Sequence, residues 1–437
     1  MSLKAAVLVG GAQKGTRFRP LSLQLPKPLF PIAGVPLIEH HIEQLSKLEN
    51  LTEIFLIGFY PSDLFDDFTK RCEVQYAIKI RYLEEPEALG TAGGLDHFRS
   101  VILEDSPSAI FVLNADVCGD LPVSEMVTEL SRKPEAHCLL LTTEATRDQS
   151  VNFGSVVIDS NGKVLHYVDK PTTFVSQHIS CGVYLLRVQV IDEIRRVRAC
   201  AESRQVWFET EIFPQMAAEC TLYALHTTRW WSQTKTAALV FTRFCVAIKN
   251  TLVASRYAFV CWDDRDEETC SAALYANRHY LRLYRCCDSP RLCRSGAHII
   301  GDVFIDPTAE VDPTAKIGPN VSIGAKARVG AGVRIRESIV LGEAVINEHA
   351  CVLHSVIGWR SVVGAWARVE GTPISPNPNI PFAKLDNKPL FNADGRLNPS
   401  LTILGSDVHV PPETVILNSI VLPYKELSSS YKNQIIL

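Results

Sequence analysis

From about residue 299 the chain places apolar residues six apart, at Ile305, Val311, Ile317, Ile323, Val329, Ile335 and Leu341. Gly318, Gly324, Gly330 and Gly342 directly follow four of them, and Ala309, Ala315, Val321, Ala327, Val333, Ile339 and Val345 fill the position four on. An ordinary sandwich would reach seven such matches in succession only by accident. Small or β-branched residues at both recurring positions are the signature of a hexapeptide repeat, in which three hexads close one triangular coil and the next coil buries both inward positions. The reading is a C-terminal left-handed parallel β-helix over 299–437. Its phase fails at Asn347 and Trp359 and restarts at Ile357, Val363 and Val369, which predicts a loop at one corner. "GTPISPNPNIPFAKLDNKP", with five prolines, reads as an irregular excursion. The alternating stretch 401–423 should add a last coil.

The first 236 residues have a different period. Short apolar runs ("AAVLVG", "EIFLIGF", "AIFVLNADV") alternate with amphipathic ones ("PLIEHHIEQLSKL", "PSDLFDDFTKRC", "VSEMVTELSRK"). That alternation predicts an α/β domain, a doubly wound, Rossmann-like and mostly parallel sheet, whose ligands gather at the carboxyl ends of its strands. Residues 237–270 fit neither pattern and are open to two readings, an atypical insertion or a misread gene model; 271–298 connect onward.

A composition 46% apolar and 21% charged is ordinary for a globular chain, and a formal net charge of -4 makes no electrostatic case for a nucleic-acid or membrane partner. The apolar stretch 237–262 carries Arg243, Lys249 and Arg256, too many charges for a membrane helix. Thirteen scattered cysteines, with Cys286 and Cys287 the adjacent pair and no paired C-x-x-C, predict reduced thiols. The N-terminus shows no signal-peptide pattern, so the expected location is cytoplasmic.

"LVGGAQKGTRFRPLS", Leu8 to Ser22, follows an apolar run and holds Gly10, Gly11 and Gly15 with Arg17 and Arg19; Lys27 lies downstream. Glycine backbone N–H groups can approach a phosphate and the cations can neutralise it. The loop matches neither standard phosphate-loop spacing, and a tight strand-exit turn with solvated charges is the bland alternative.

The wider stretch "GGAQKGTRFRPLSLQLPKPLFPIAGVPLIEH" resembles the signature of the sugar-1-phosphate nucleotidyltransferases. Further elements of that family follow in order: "EPEALGTAGGL", "NADV", "VDKP", "SCGVYLL" and "FETEIFP". Within the family the chain is most similar to the mannose-1-phosphate guanylyltransferases and their alpha-type subunits, which "VEGTP", "ILNSIVLP" and "NQIIL" also resemble. The resemblance implies that Gly10, Gly11 and Gly15 wrap a nucleotide, that Arg17 neutralises triphosphate charge and that Lys27 lies near the reacting centre. It implies base contacts from Gly90 and Thr91, Mg²⁺ held by Asp116, sugar hydroxyls held by Asp169 and sugar phosphate by Lys170. Such a reaction, in-line attack of a sugar phosphate on an α-phosphorus, brings anions together and relies on positioning and charge neutralisation.

Two departures bear on catalysis. Ala12, Gln13 and Lys14 stand where active relatives have one residue between the paired glycines and G-T-R, and a shift of ~1 Å costs ~100-fold in rate. In "RWWSQTK", Gln233 stands where relatives carry a second metal-binding aspartate, and an amide offers Mg²⁺ no charge. Ser180 and Cys181 also replace the usual Asn-Ala near the sugar. The resulting expectation is a regulatory subunit that binds GDP-mannose and controls a catalytic guanylyltransferase partner, in a hetero- or homo-oligomer, with Mg²⁺ binding weak or absent. A working enzyme making GDP-mannose from GTP and mannose-1-phosphate is the second reading. A translation-exchange-factor-like scaffold is the third, opposed by the retained "VDKP" and "GTAGG". An acyltransferase using His349 or His354 lacks any acyl-donor signal.

Overall fold

A computed structural model describes residues 2–11, 18–200, 204–234, 272–373, 391–392 and 396–437. Gly15, Arg17, the Ala12-Gln13-Lys14 departure, segment 237–270 and most of the proline-rich stretch therefore lie outside the described residues. The chain divides into two compact units, the first mainly Met1–Gly15 and Pro36–Gln233, the second mainly Thr16–Val35, Thr234–Ser375 and Leu385–Leu437. Among the described residues no helix is long and apolar enough to cross a membrane.

In the first unit the apolar runs become strands: β1 (Leu3–Gly10), β2 (Leu51–Gly58), β3 (Lys79–Glu84) and β4 (Ala109–Asn114). They pair in parallel in the order β4-β1-β2-β3. β1, β2 and β4 are buried along most of their length, as strands covered on both faces must be. The amphipathic runs become α1 (Leu37–Leu45), α2 (Asp63–Tyr76) and, after α3 (Gly90–His97), α4 (Val123–Arg132). α4 shows why: Val123, Met126 and Leu130 recur at helical spacing and are its buried residues.

Past α4 the sheet becomes mixed. The short β5 (Val117–Gly119) stands off it, and β6 (Cys138–Glu144), β7 (Ser155–Ile158), β8 (Val164–Val168) and β9 (His178–Arg187) extend it. β9 runs antiparallel to β4 and to β6. The sheet closes with β10 (Leu222–His226), parallel to β6. Helices α5 (Gln189–Cys200) and α6 (Phe213–Ala218) cover it, packing Val190, Ile194, Phe213 and Met216 on Ala6, Phe55, Val112, Leu140 and Tyr184. Each such fully buried side chain contributes about 1.5–3 kcal/mol. Strand directions put the ends of β1, β2, β4 and β8 on one edge, since Val168 pairs with Ser155 and Ser155 with Ile179.

The second unit is the arrangement of a left-handed parallel β-helix: two seven-stranded parallel sheets and one of five strands. Successive coils first step by three full hexads, pairing Val303 with Val321, Glu310 with Arg328 and Lys316 with Arg334. The hexad expectation holds through Ile335 and is corrected after it. Ile339 pairs with Ser322, one residue short of a full coil, and Val340 rather than Leu341 joins the interior. From there one side of each coil is five residues long, so the core runs Ile335, Val340, Ile346, Val352, Ile357, Val363, Val369. The apparent failures at Asn347 and Trp359 are this shortened side, not a loop. A long departure comes later, where Ser355 pairs with Thr402 and the ladder resumes to Val421 and Ile436.

Helix α7 (Ala272–Cys286) belongs to this unit. Its buried Asn277 accepts hydrogen bonds from the Ala33 N–H (2.8 Å) and the Ser322 hydroxyl (2.9 Å), and donates to the Asn320 carbonyl (3.3 Å). Phe30 meets Phe18 and Trp359 edge-on, at 4.9 and 5.9 Å between ring centres.

Candidate functional site

β4 ends at Asn114, and the chain turns through Ala115 and Asp116 into β5. β5 pairs antiparallel with β11 (Trp231–Gln233), which sets Trp231 opposite Gly119 and Gln233 opposite Val117. Several local features hold this ribbon. The buried Trp231 indole N–H donates to the Cys181 carbonyl at 2.9 Å and its ring meets Phe153 edge-on at 5.6 Å. Gln44, on α1, donates to the Gly119 carbonyl (3.0 Å) and accepts from the Leu121 N–H (2.7 Å). Gly182, at φ +71°, lets β9 pass Asn114, whose Nδ2 would lie 2.7 Å from an added Cβ.

The pairing brings Gln233 beside the residue that follows Asp116, the two positions where the family resemblance expects paired metal carboxylates. The Gln233 Oε1 atom is buried and, among the described residues, has no hydrogen-bond partner. Beneath the turn lies His41, fully buried on α1. Burial lowers its pKa to about 4, while the Asp116 carboxylate and the nearby peptide groups of Ala115 and Val117 work the other way; neither ring nitrogen makes a well-formed hydrogen bond.

A second group forms around Gly90, at φ +87°, where an added Cβ would sit 2.3 Å from the Val206 carbonyl oxygen. That carbonyl accepts from the N–H groups of Ala92 and Gly93, the first turn of α3. Thr91 donates its hydroxyl proton to Glu209 (2.6 Å) and accepts from the Phe208 N–H (2.9 Å). Burial raises the Glu209 pKa, the nearby Asp169 carboxylate raises it further, and the Thr91 and Tyr184 hydroxyls oppose the rise. Asp169 is half-buried and Lys170 exposed, at φ +41°, both directly after β8. Tyr167, inside, passes its hydroxyl so close to Gly154 that a Cβ there would lie 2.1 Å away.

The first unit therefore carries Gly10, Gly11, Asp116, Asp169 and Lys170 at or just beyond the ends of its strands, and Gly90 and Thr91 at the start of α3. Gly10, at φ +69°, ends β1, and its carbonyl accepts from the Phe59 N–H at 2.7 Å. Lys27 belongs to the second unit, opening a short 3-10 turn (Lys27–Leu29) with its ammonium 5.9 Å from the centre of the Phe18 ring. Thr91's hydroxyl is committed to Glu209 and Phe208 within the protein. Sequence reasoning gave no role to Glu209 or His41; the quoted "FETEIFP" marked the place of Glu209, whereas nothing in the sequence marked His41.

Chemically, the strand-end glycines and Lys170 suit phosphate, and carboxylates near Asp169 suit hydroxyl groups. A resident Mg²⁺ is a poorer match. Among the described residues no group of three or more His, Cys, Asp or Glu side chains is placed to hold a metal ion. Asp116 supplies one charge and Gln233 a neutral carbonyl, a donor set that does not fit the two-carboxylate site expected of the cation.

The nucleotidyl transferase family model matches residues 4–242, and the GMPPB C-terminal domain model matches residues 299–436. Mannose-1-phosphate guanylyltransferase regulatory subunit alpha-A of Danio rerio is 46% identical over 100% of both chains. The proteins named regulatory subunit alpha in Papio anubis and Homo sapiens are 47% identical, again over 100% of each chain. Among solved structures, a putative glucose-1-phosphate thymidylyltransferase from Bacillus anthracis matches 54% of this chain and 91% of its own at 19% identity, with a TM-score of 0.46, a likeness too slight to bear on function.

Proposed function

Starting from a chain that belongs to the nucleotidyl transferase family and, within it, to the mannose-1-phosphate guanylyltransferase alpha subunits, we propose that it is a regulatory subunit. It binds GDP-mannose at the strand-end site and controls a catalytic guanylyltransferase partner instead of forming GDP-mannose itself.

The observation that carries this reading is Gln233, with its buried, unpartnered Oε1 beside the Asp116 turn. Attack on an α-phosphorus gathers negative charge in the transition state, and losing one preorganised group that meets such charge costs about 10²–10³ in rate. Holding a finished nucleotide sugar asks less. No charge develops, and Gly10, Gly11, Lys170 and Asp169 supply the phosphate and hydroxyl contacts such a ligand needs.

The test is twofold. Calorimetry of the purified chain should register GDP-mannose binding, and the chain alone should release no pyrophosphate from GTP and mannose-1-phosphate. Robust turnover without a partner would establish the second reading, an active enzyme, which Asp116, Asp169 and Lys170 favour by their retention.

A further inference from the structure

Segment 206–209, just ahead of α6, is knitted to the start of α3. The Val206 N–H donates to the Leu89 carbonyl (2.9 Å), and the Val206 carbonyl accepts from Ala92 and Gly93 (3.0 and 3.2 Å). Glu209 completes the junction. Its Oε2 accepts the Thr91 hydroxyl proton at 2.6 Å, while the Phe208 N–H donates to the same hydroxyl at 2.9 Å. This two-sided grip fixes Thr91, and an ionised carboxylate holds a hydroxyl about twice as strongly as a neutral acceptor does.

The other oxygen, Oε1, accepts from the Tyr184 hydroxyl at 3.4 Å. Among the described residues the titratable groups that act on Glu209 are Asp169, just past β8, with Tyr167 on β8 and Tyr184 on β9. Burial pushes both tyrosines well above their ordinary range, so they stay neutral and the charge that reaches Glu209 is that of Asp169. The surroundings are aromatic: Phe213 stacks on Phe208 at 5.2 Å and meets Tyr184 edge-on at 4.8 Å. In such a setting two carboxylates act on one another with little screening by water.

Glu209 therefore touches the expected base loop, Gly90 and Thr91, by a hydrogen bond, and the expected sugar residue, Asp169, by its charge. A sugar hydroxyl donated to Asp169 draws negative charge away from Glu209, which then gives its proton to solvent and grips Thr91 harder. A nucleotide without a sugar leaves the repulsion in place. We infer that Glu209 is a positioning residue that couples the two halves of the site, setting the start of α3 for the base when a hydroxylated sugar occupies Asp169. The ligand rests on the GDP-mannose reading above; the coupling rests on the chain Thr91–Glu209–Asp169.

Calorimetry of the full chain with GDP-mannose and with the β-methyl ester of GDP, which carries the same charge and no sugar, tests this. Wild-type preference for GDP-mannose over the ester should rise with pH between 5 and 7.5. At pH 6, in buffers of different ionisation heat, GDP-mannose should release a fraction of a proton and the ester none. Glu209→Gln keeps an acceptor for Thr91 but has no charge to regain. In that variant the preference should be about fivefold smaller at pH 7.5 and flat with pH, and the proton release should vanish. If the variant fails to fold by circular dichroism, Thr91→Val cuts the same link from the other side and should show the same loss of preference. Equal weakening of both ligands would mark a merely structural role and overturn the inference, as would proton release that persists in Glu209→Gln; either result leaves GDP-mannose binding itself intact. Wild-type protein that binds no GDP-mannose overturns the inference together with the reading it rests on.

Discussion

Acidification should loosen the Asp116 turn through His41. The folded pKa of His41 is about 4 against an ordinary 6.5, so between those values the unfolded chain binds a proton that the folded chain refuses. Stability from this group is complete above pH 6.5 and is lost as pH falls toward 4. The whole gap corresponds to about 3 kcal/mol, of which about 2 kcal/mol should be gone at pH 5. His279 on α7, lowered to about 4 chiefly by burial, titrates in the same range but in the other unit, so a local probe is needed. Hydrogen exchange of peptides spanning 37–45 and 114–119, corrected for intrinsic rates, reads opening at this place. His41→Leu removes the titration, and because the imidazole makes no well-formed hydrogen bond the change leaves no strongly held partner behind. The variant should match or exceed wild-type protection at pH 5 and differ little at pH 7.5. Equal loss of protection in both proteins on going to pH 5 would refute the reasoning.

Gly90→Ala should cost more than about 2 kcal/mol in urea denaturation, because φ is +87° and the new methyl would meet the Val206 backbone, which has no rotamer to give way. Glu209 has a raised folded pKa, so its favourable contribution is present at low pH and declines as pH climbs through that raised value; Glu209→Gln should flatten this part of the stability-pH profile. Gln233→Asp should confer on nucleotide binding a dependence on added MgCl₂ of about tenfold that wild type lacks, and calorimetry with and without the cation would expose its absence.

The β-helix was legible because burying one coil under the next repeats a demand on the same positions. The sequence became ambiguous where Val340 and Leu341 are both apolar. Corner geometry then decides which of them points inward, and that geometry depends on the coil below. The juxtaposition of Asp116 with Gln233 was legible only through the family resemblance, which implies one metal site for both positions. Thr91's bond to Glu209 and the burial of His41 under Asp116 were not, because each joins segments far apart in sequence whose side chains carry no periodic mark. Sequence patterns also grouped residues 16–35 with the strand-end loop, whereas compactness places them in the unit that holds α7 and the β-helix.

The step from Ser355 to Thr402 has an engineering consequence. Pairing there resumes in the register the preceding coils set, with Val356 on Ile403 and Val362 on His409. The solenoid therefore keeps count by its neighbours and not by chain length. Foreign sequence spliced at that corner, such as a fluorescent reporter, should leave the coils on either side in register, which makes it a natural port for labels.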